Sequence, residues 1–63
     1  MLKSFKVELY LLLAESYFLC ENYVDSEHAC NEAISLDDKC SKAYVLRMQA
    51  KTNNEKSSNY FNF

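Results

Sequence analysis

The stretch Tyr10-Leu11-Leu12-Leu13-Ala14-Glu15-Ser16-Tyr17, followed by Ala33 and then Tyr44, decides how this chain is read. Tyr44 stands 34 residues after Tyr10, which is the period of a helical-hairpin repeat. One such hairpin cannot bury its own apolar face, so it stacks on neighbours. The spacing predicts an all-α fold: an antiparallel helical hairpin plus a third helix, a fragment of an α-solenoid.

Working outward, three helices are expected, over about 4–20, 23–36 and 41–52. Leu, Ala, Glu and Lys dominate the first, and all are strong helix formers. Ser4 is a candidate cap for its start, and Asn22 a residue able to end it in the left-handed conformation. In the second, Ser26, Ala29, Cys30, Ala33 and Ile34 recur at i, i+3, i+4 and i+7, the spacing of one helix face. These side chains are small, which lets another backbone come close. Asp37-Asp38 interrupts the pattern, and Asp38 or Ser41 can cap the third helix. On this reading residues 1–53 form the helical segment. Residues 54–63 form a polar, disordered tail, ending in rings at Tyr60, Phe61 and Phe63 that either hang free or fold back on an uncovered helix face.

Composition narrows the functional classes. Sixty-three residues make one small domain, which is marginally stable without staples or partners. A net charge of −2 and a pI near 5.2 argue against a nucleic-acid binder. Glycine and proline are both absent, which disfavours a turn-rich β fold. The apolar run from Leu9 to Ala14 lies between Glu8 and Glu15 and is too short for a signal peptide or a membrane span. A cytoplasmic protein is the expectation. Cys20, Cys30 and Cys40 are odd in number and lack metal-ligand spacing, so they read as reduced thiols, with no metal and no cofactor expected.

The first helix stands apart, because its apolar residues point in nearly every direction. A helix apolar all round is normally buried on all sides, and the thin stripe of the second helix is too narrow to cover it. A preceding repeat, a second copy of the chain or a ligand is therefore expected to shelter it.

From about Val7 to Ala50 the chain resembles the tetratricopeptide repeat family. Tyr10, Leu13, Ala14 and Tyr17 occupy the places of Trp, Leu, Gly and Tyr in its pattern. Ser26 replaces an Ala and Cys30 a Phe, while Ala33 matches a later Ala. Ala33-Ile34-Ser35-Leu36-Asp37 is similar to the family's usual ending, with Asp38 where Pro is expected. Lys42-Ala43-Tyr44-Val45-Leu46-Arg47-Met48-Gln49-Ala50 is similar to the opening of a repeat in co-chaperone-type members. The resemblance implies a protein–protein interaction module, a scaffold or co-chaperone-like adaptor. It also implies that Ala14 and Ser26 meet at the helix crossing. Tyr17 and Tyr23 would lie around the turn, with Leu13, Cys30 and Ala33 inside the hairpin. Tyr44 and Met48 would face the second helix.

Members with a carboxylate clamp grip the acidic tails of heat-shock chaperones through an Asn, a Lys and an Arg. Here Leu12 takes the Asn position and Leu46 the Arg position, and Lys42 alone matches. Arg47 sits one step on, about 100° around the helix. A clamp is not expected from this segment by itself.

Leu11, Leu12, Glu15, Phe18 and Leu19 line the concave side if the family geometry holds. There they receive a peptide or helix, or pack on a neighbouring repeat or second copy. Lys42, Arg47 and Lys51 either grip an acidic peptide or form a solvated surface. The partner-binding candidates are thus Leu11, Leu12, Glu15, Phe18, Leu19, Lys42 and Arg47. Ser26, His28 and Cys30 do not form a nucleophile–base pair with an orienting third group, so no enzyme is expected. The alternative function is structural self-association, a helical homo-oligomer closed by the first helix.

Overall fold

The computed structural model describes residues 2–61, with side chains described over 5–56. Three helices follow one another: α1 (Leu2–Leu19), α2 (Tyr23–Leu36) and α3 (Ser41–Phe61). There is no strand among the described residues. The fold is all-α, a helical hairpin with a third helix on it. α2 packs on both neighbours, whereas α1 and α3 meet over a short stretch.

Small side chains let these helices approach. The buried face of α2 is Ser26, Ala29, Cys30 and Ala33, the stripe expected from its periodicity. Val7 and Ala14 face it from α1, Ala43 and Leu46 from α3. Ala14, Cys30, Ala33, Ala43 and Ala50 are fully buried. No Leu, Phe or Tyr with a described side chain is buried. Larger side chains such as Tyr10, Leu11, Ile34 and Leu36 pack at the margins of this thin core.

The α1–α2 turn is a Schellman motif. Asn22 N–H donates to Tyr17 O at 2.8 Å and Glu21 N–H to Phe18 O at 3.0 Å, the two bonds that close a left-handed helix end. The left-handed residue is Glu21, with φ of 62°, rather than Asn22. Asn22 is instead the N-cap of α2. Its carbonyl accepts from Ser26 N–H, and its side-chain amide donates to Asp25 Oδ2 at 2.7 Å. Next to the turn, Phe18 and Tyr23 pack edge to face with ring centroids 5.3 Å apart.

At the second turn Asp37 leaves the helix in an extended conformation, and its carboxylate accepts from Lys39 N–H at 3.1 Å. Cys40, not Asp38 or Ser41, holds the first carbonyl of α3, which accepts from Tyr44 N–H. α1 begins at Leu2, so Ser4 lies within it and does not cap its start.

Three further expectations are corrected. Tyr44 and Met48 line a hollow with Glu27 and Asn31 of α2 but stay 39% and 66% exposed, while Ala43, Leu46 and Ala50 take the inward face of α3. Leu13 is exposed as well, since Val7, Tyr10, Ala14 and Tyr17 point to α2. α3 also continues to Phe61, through residues read as tail. No Gly or Pro interrupts it, Lys51 and Glu55 stand one turn apart, and Asn53 donates to Gln49 O at 2.8 Å. The fold-back of Tyr60, Phe61 and Phe63 lies outside the described side chains.

Candidate functional site

The site starts from a fixed crossing between α1 and α2. Ser26 Oγ donates a 2.8 Å hydrogen bond to the backbone carbonyl of Ala14, and both residues are fully buried. Ala14 and Ser26 are both small, which suits a close approach of the two backbones. The crossing sets which side of α1 faces α2, and so which side remains open.

Three surfaces stay open on α1: a hollow of about 530 Å³ against α2, lined by Lys6, Leu9, Leu13, Glu32, Ser35 and Leu36, and two others. One is a groove of about 390 Å³ against α3, lined by Leu11, Glu15, Lys42, Val45, Leu46 and Gln49. It continues along α1 past Glu8 and Leu12. Its floor is aliphatic, and Glu8, Glu15 and Lys42 supply charge at its edge. The other is the side of α1 turned away from α2, where Phe5, Leu12 and Leu19 are 61%, 59% and 83% exposed. Large apolar side chains concentrated on one helix side mark an interaction surface more often than scattered ones do.

The seven candidate residues are not brought together. Leu11, Leu12, Glu15 and Lys42 share the groove. Phe18 is half-buried against Tyr23 at the turn, and Leu19 projects outward beside it. Arg47 is on another surface, the α2–α3 side. There its Nη1 donates to Asn31 Oδ1 at 2.8 Å, and its guanidinium lies 5.2 Å from the centre of the Tyr44 ring. Tyr44 in turn donates through its hydroxyl to Asp38 O at 3.0 Å. Arg47 thus braces α3 on α2, and Lys42 and Arg47 face different hollows.

Val45 and Gln49 line the groove but were not among the candidates. Their signal was in the sequence: they follow Lys42 at i+3 and i+7, on the same side of α3. Asn31 is exposed, and nothing local in the sequence marks it as the acceptor for Arg47.

Ser26, His28 and Cys30 are dispersed by the fold. Ser26 is committed to Ala14, His28 is exposed and Cys30 is buried. Burial pushes the Cys30 thiol above its ordinary value, Arg47 partly opposes that, and Glu27 and Cys40 add to it. All three cysteines are free, and no group of three or more His, Cys, Asp or Glu is placed to hold a metal among the described residues. No helix described is long and apolar enough to cross a membrane.

Comparison with family models, with curated proteins and with solved structures gives no match.

Proposed function

We propose that this chain is a protein–protein interaction module of the tetratricopeptide type, acting as a scaffold or adaptor. The observation that carries this reading is the open groove between α1 and α3, with Leu11, Leu12 and Val45 in its wall and Lys42 at its rim. Apolar surface beside a few fixed charges suits a peptide or partner helix, since burial supplies affinity and the charges set orientation. The small residues Ala14 and Ser26, joined by a hydrogen bond where α1 and α2 cross, support this reading. An acidic chaperone tail fits less well: Leu12 and Leu46 stand where a clamp needs an amide and a guanidinium, and Arg47 is engaged with Asn31.

A second reading, self-association through α1, draws on the exposure of Phe5, Leu9, Leu12 and Leu19. Size-exclusion chromatography with light scattering on the full chain separates the two. The module reading expects a monomer that retains a protein partner in pull-down and loses it in Leu12→Asp and Lys42→Glu. A defined dimer dissolved by Leu12→Asp supports self-association instead.

A further inference from the structure

The contacts that hold α3 are centred on the turn that leads into it. Ala33 of α2 and Ala43 of α3 share one buried cluster, and Leu46 packs against the cluster that holds Cys30. Both pairs centre on position 38, inside the link between the helices. α3 packs chiefly on α2 and meets α1 over a short stretch. A second chain laid antiparallel across that centre offers α2 the same residues at the same places, related by a two-fold axis beside Asp38.

The link is already close to helix at both ends. Asp37 N–H donates to Ala33 O at 2.9 Å and Tyr44 N–H to Cys40 O at 3.3 Å, each a four-residue step of an α-helix. The chain departs from helix at Asp37, which is extended at φ −145° and ψ 97°. Neither glycine nor proline stands in the link to forbid a helix there. If residues 37–40 turn helical, α2 and α3 become one rod over 23–61. The carbonyls of Ile34, Ser35 and Leu36, which accept no backbone bond from the turn, then gain the N–H groups of Asp38, Lys39 and Cys40.

Two exposed contacts oppose straightening. Lys39 N–H donates to Asp37 Oδ1 at 3.1 Å, and the Tyr44 hydroxyl donates to Asp38 O at 3.0 Å. Charge opposes it too. In a pair of straightened chains the two copies of Asp38 meet at the axis with Asp37 beside each, and like carboxylates that close repel.

We propose that residues 37–40 are a hinge through which two copies of this chain exchange α3, and that Asp37 and Asp38 restrain the exchange. Each α1–α3 groove is then built by two chains, with Leu11 and Glu15 from one and Lys42, Val45 and Gln49 from the other. The dimer carries two such grooves. Exchange needs no ligand, so it stands apart from the interaction-module reading.

The test uses the full chain. Closure within one chain competes at an effective concentration of about a millimolar, so the parent is expected to dimerise only near that concentration. Asp37→Ala/Asp38→Ala removes the carboxylates and favours helix, and sedimentation equilibrium is expected to show its dimer at about tenfold lower chain concentration. Asp38→Pro suits the closed turn, where Asp37 is already extended, and forbids the straight rod. It is expected to stay monomeric throughout. Position 31 meets position 47 across the α2–α3 contact, at a hydrogen bond of 2.8 Å. In a Cys20→Ser background, chains carrying Asn31→Cys mixed with chains carrying Arg47→Cys therefore form a mixed disulfide on oxidation if α3 has been exchanged. The double variant and the cross-link decide the question even where the proline variant unfolds. A double variant that remains monomeric, a folded Asp38→Pro chain that dimerises as readily as the parent, or a dimer without the mixed disulfide overturns the proposal. The last outcome favours pairing through α1 instead.

Discussion

Ser26 of α2 and Ala14 of α1 are joined by a hydrogen bond of 2.8 Å from hydroxyl to backbone carbonyl, at a point where neither residue touches solvent. This contact fixes the crossing of the hairpin. Ser26→Ala removes the bond and leaves the close approach intact, so urea denaturation should show a loss of about 1 kcal/mol. Ser26→Leu forces the helices apart and should cost more, about 1–3 kcal/mol from overpacking alone. Equal losses in the two variants would mean the approach is looser than described.

Glu21 occupies the left-handed position of the α1–α2 turn. A residue with a Cβ pays about 1–2 kcal/mol there, and glycine does not. Glu21→Gly is therefore expected to stabilise the chain by about 0.5–1 kcal/mol, the gain being trimmed by the greater freedom of the unfolded glycine. Glu21→Val should destabilise it. Thermal denaturation followed by circular dichroism checks both signs, and a less stable glycine variant would contradict the turn geometry.

Cys20 is exposed and Cys30 is buried, with its thiol pushed above the ordinary value of 9.0 chiefly by burial. A thiol reagent at neutral pH should label Cys20 quickly and Cys30 only when the chain opens. A raised folded value means that the folded chain holds this proton more tightly than the unfolded one. Its contribution is therefore fully present below pH 9.0 and is lost as the pH rises through the folded value. The alkaline fall in stability should be shallower in Cys30→Ala than in the parent chain.

Arg47 donates to Asn31 and lies over Tyr44 on the surface between α2 and α3. Exposed charge-assisted contacts of this kind contribute little individually. Arg47→Ala should cost less than about 1 kcal/mol and leave binding at the α1–α3 groove unchanged. A loss of groove binding in this variant would place Arg47 in the site after all.

Much of the fold is legible in the residues. The stripe Ser26, Ala29, Cys30, Ala33 has one periodicity and one size class, and it is the buried face of α2. Small residues at 14 and 26 announce a close crossing for the same reason. α3 is less legible. Tyr44 and Met48 are larger and more apolar than Ala43 and Ala50, yet the alanines go inward. A core this thin admits methyl groups and excludes rings, and hydrophobicity alone does not express that. The extension of α3 to Phe61 escaped because polar composition suggests disorder, whereas the chain contains neither glycine nor proline to stop a helix. At the candidate site, Leu11, Leu12, Glu15 and Lys42 were expected from the family resemblance, and they line one groove. The separation of Arg47 depends on Asn31, sixteen residues away on another helix.

Among the described side chains Phe5, Leu12 and Leu19 on the outer side of α1 stay exposed, and so contribute little to the packing of this chain. Urea denaturation of the triple variant Phe5→Gln, Leu12→Gln, Leu19→Gln, followed by circular dichroism, tests this most directly. The account predicts helical content and stability within about 0.5 kcal/mol of the parent, as for exposed surface positions. A loss of several kcal/mol would show that the face is already buried within the chain, and would contradict it.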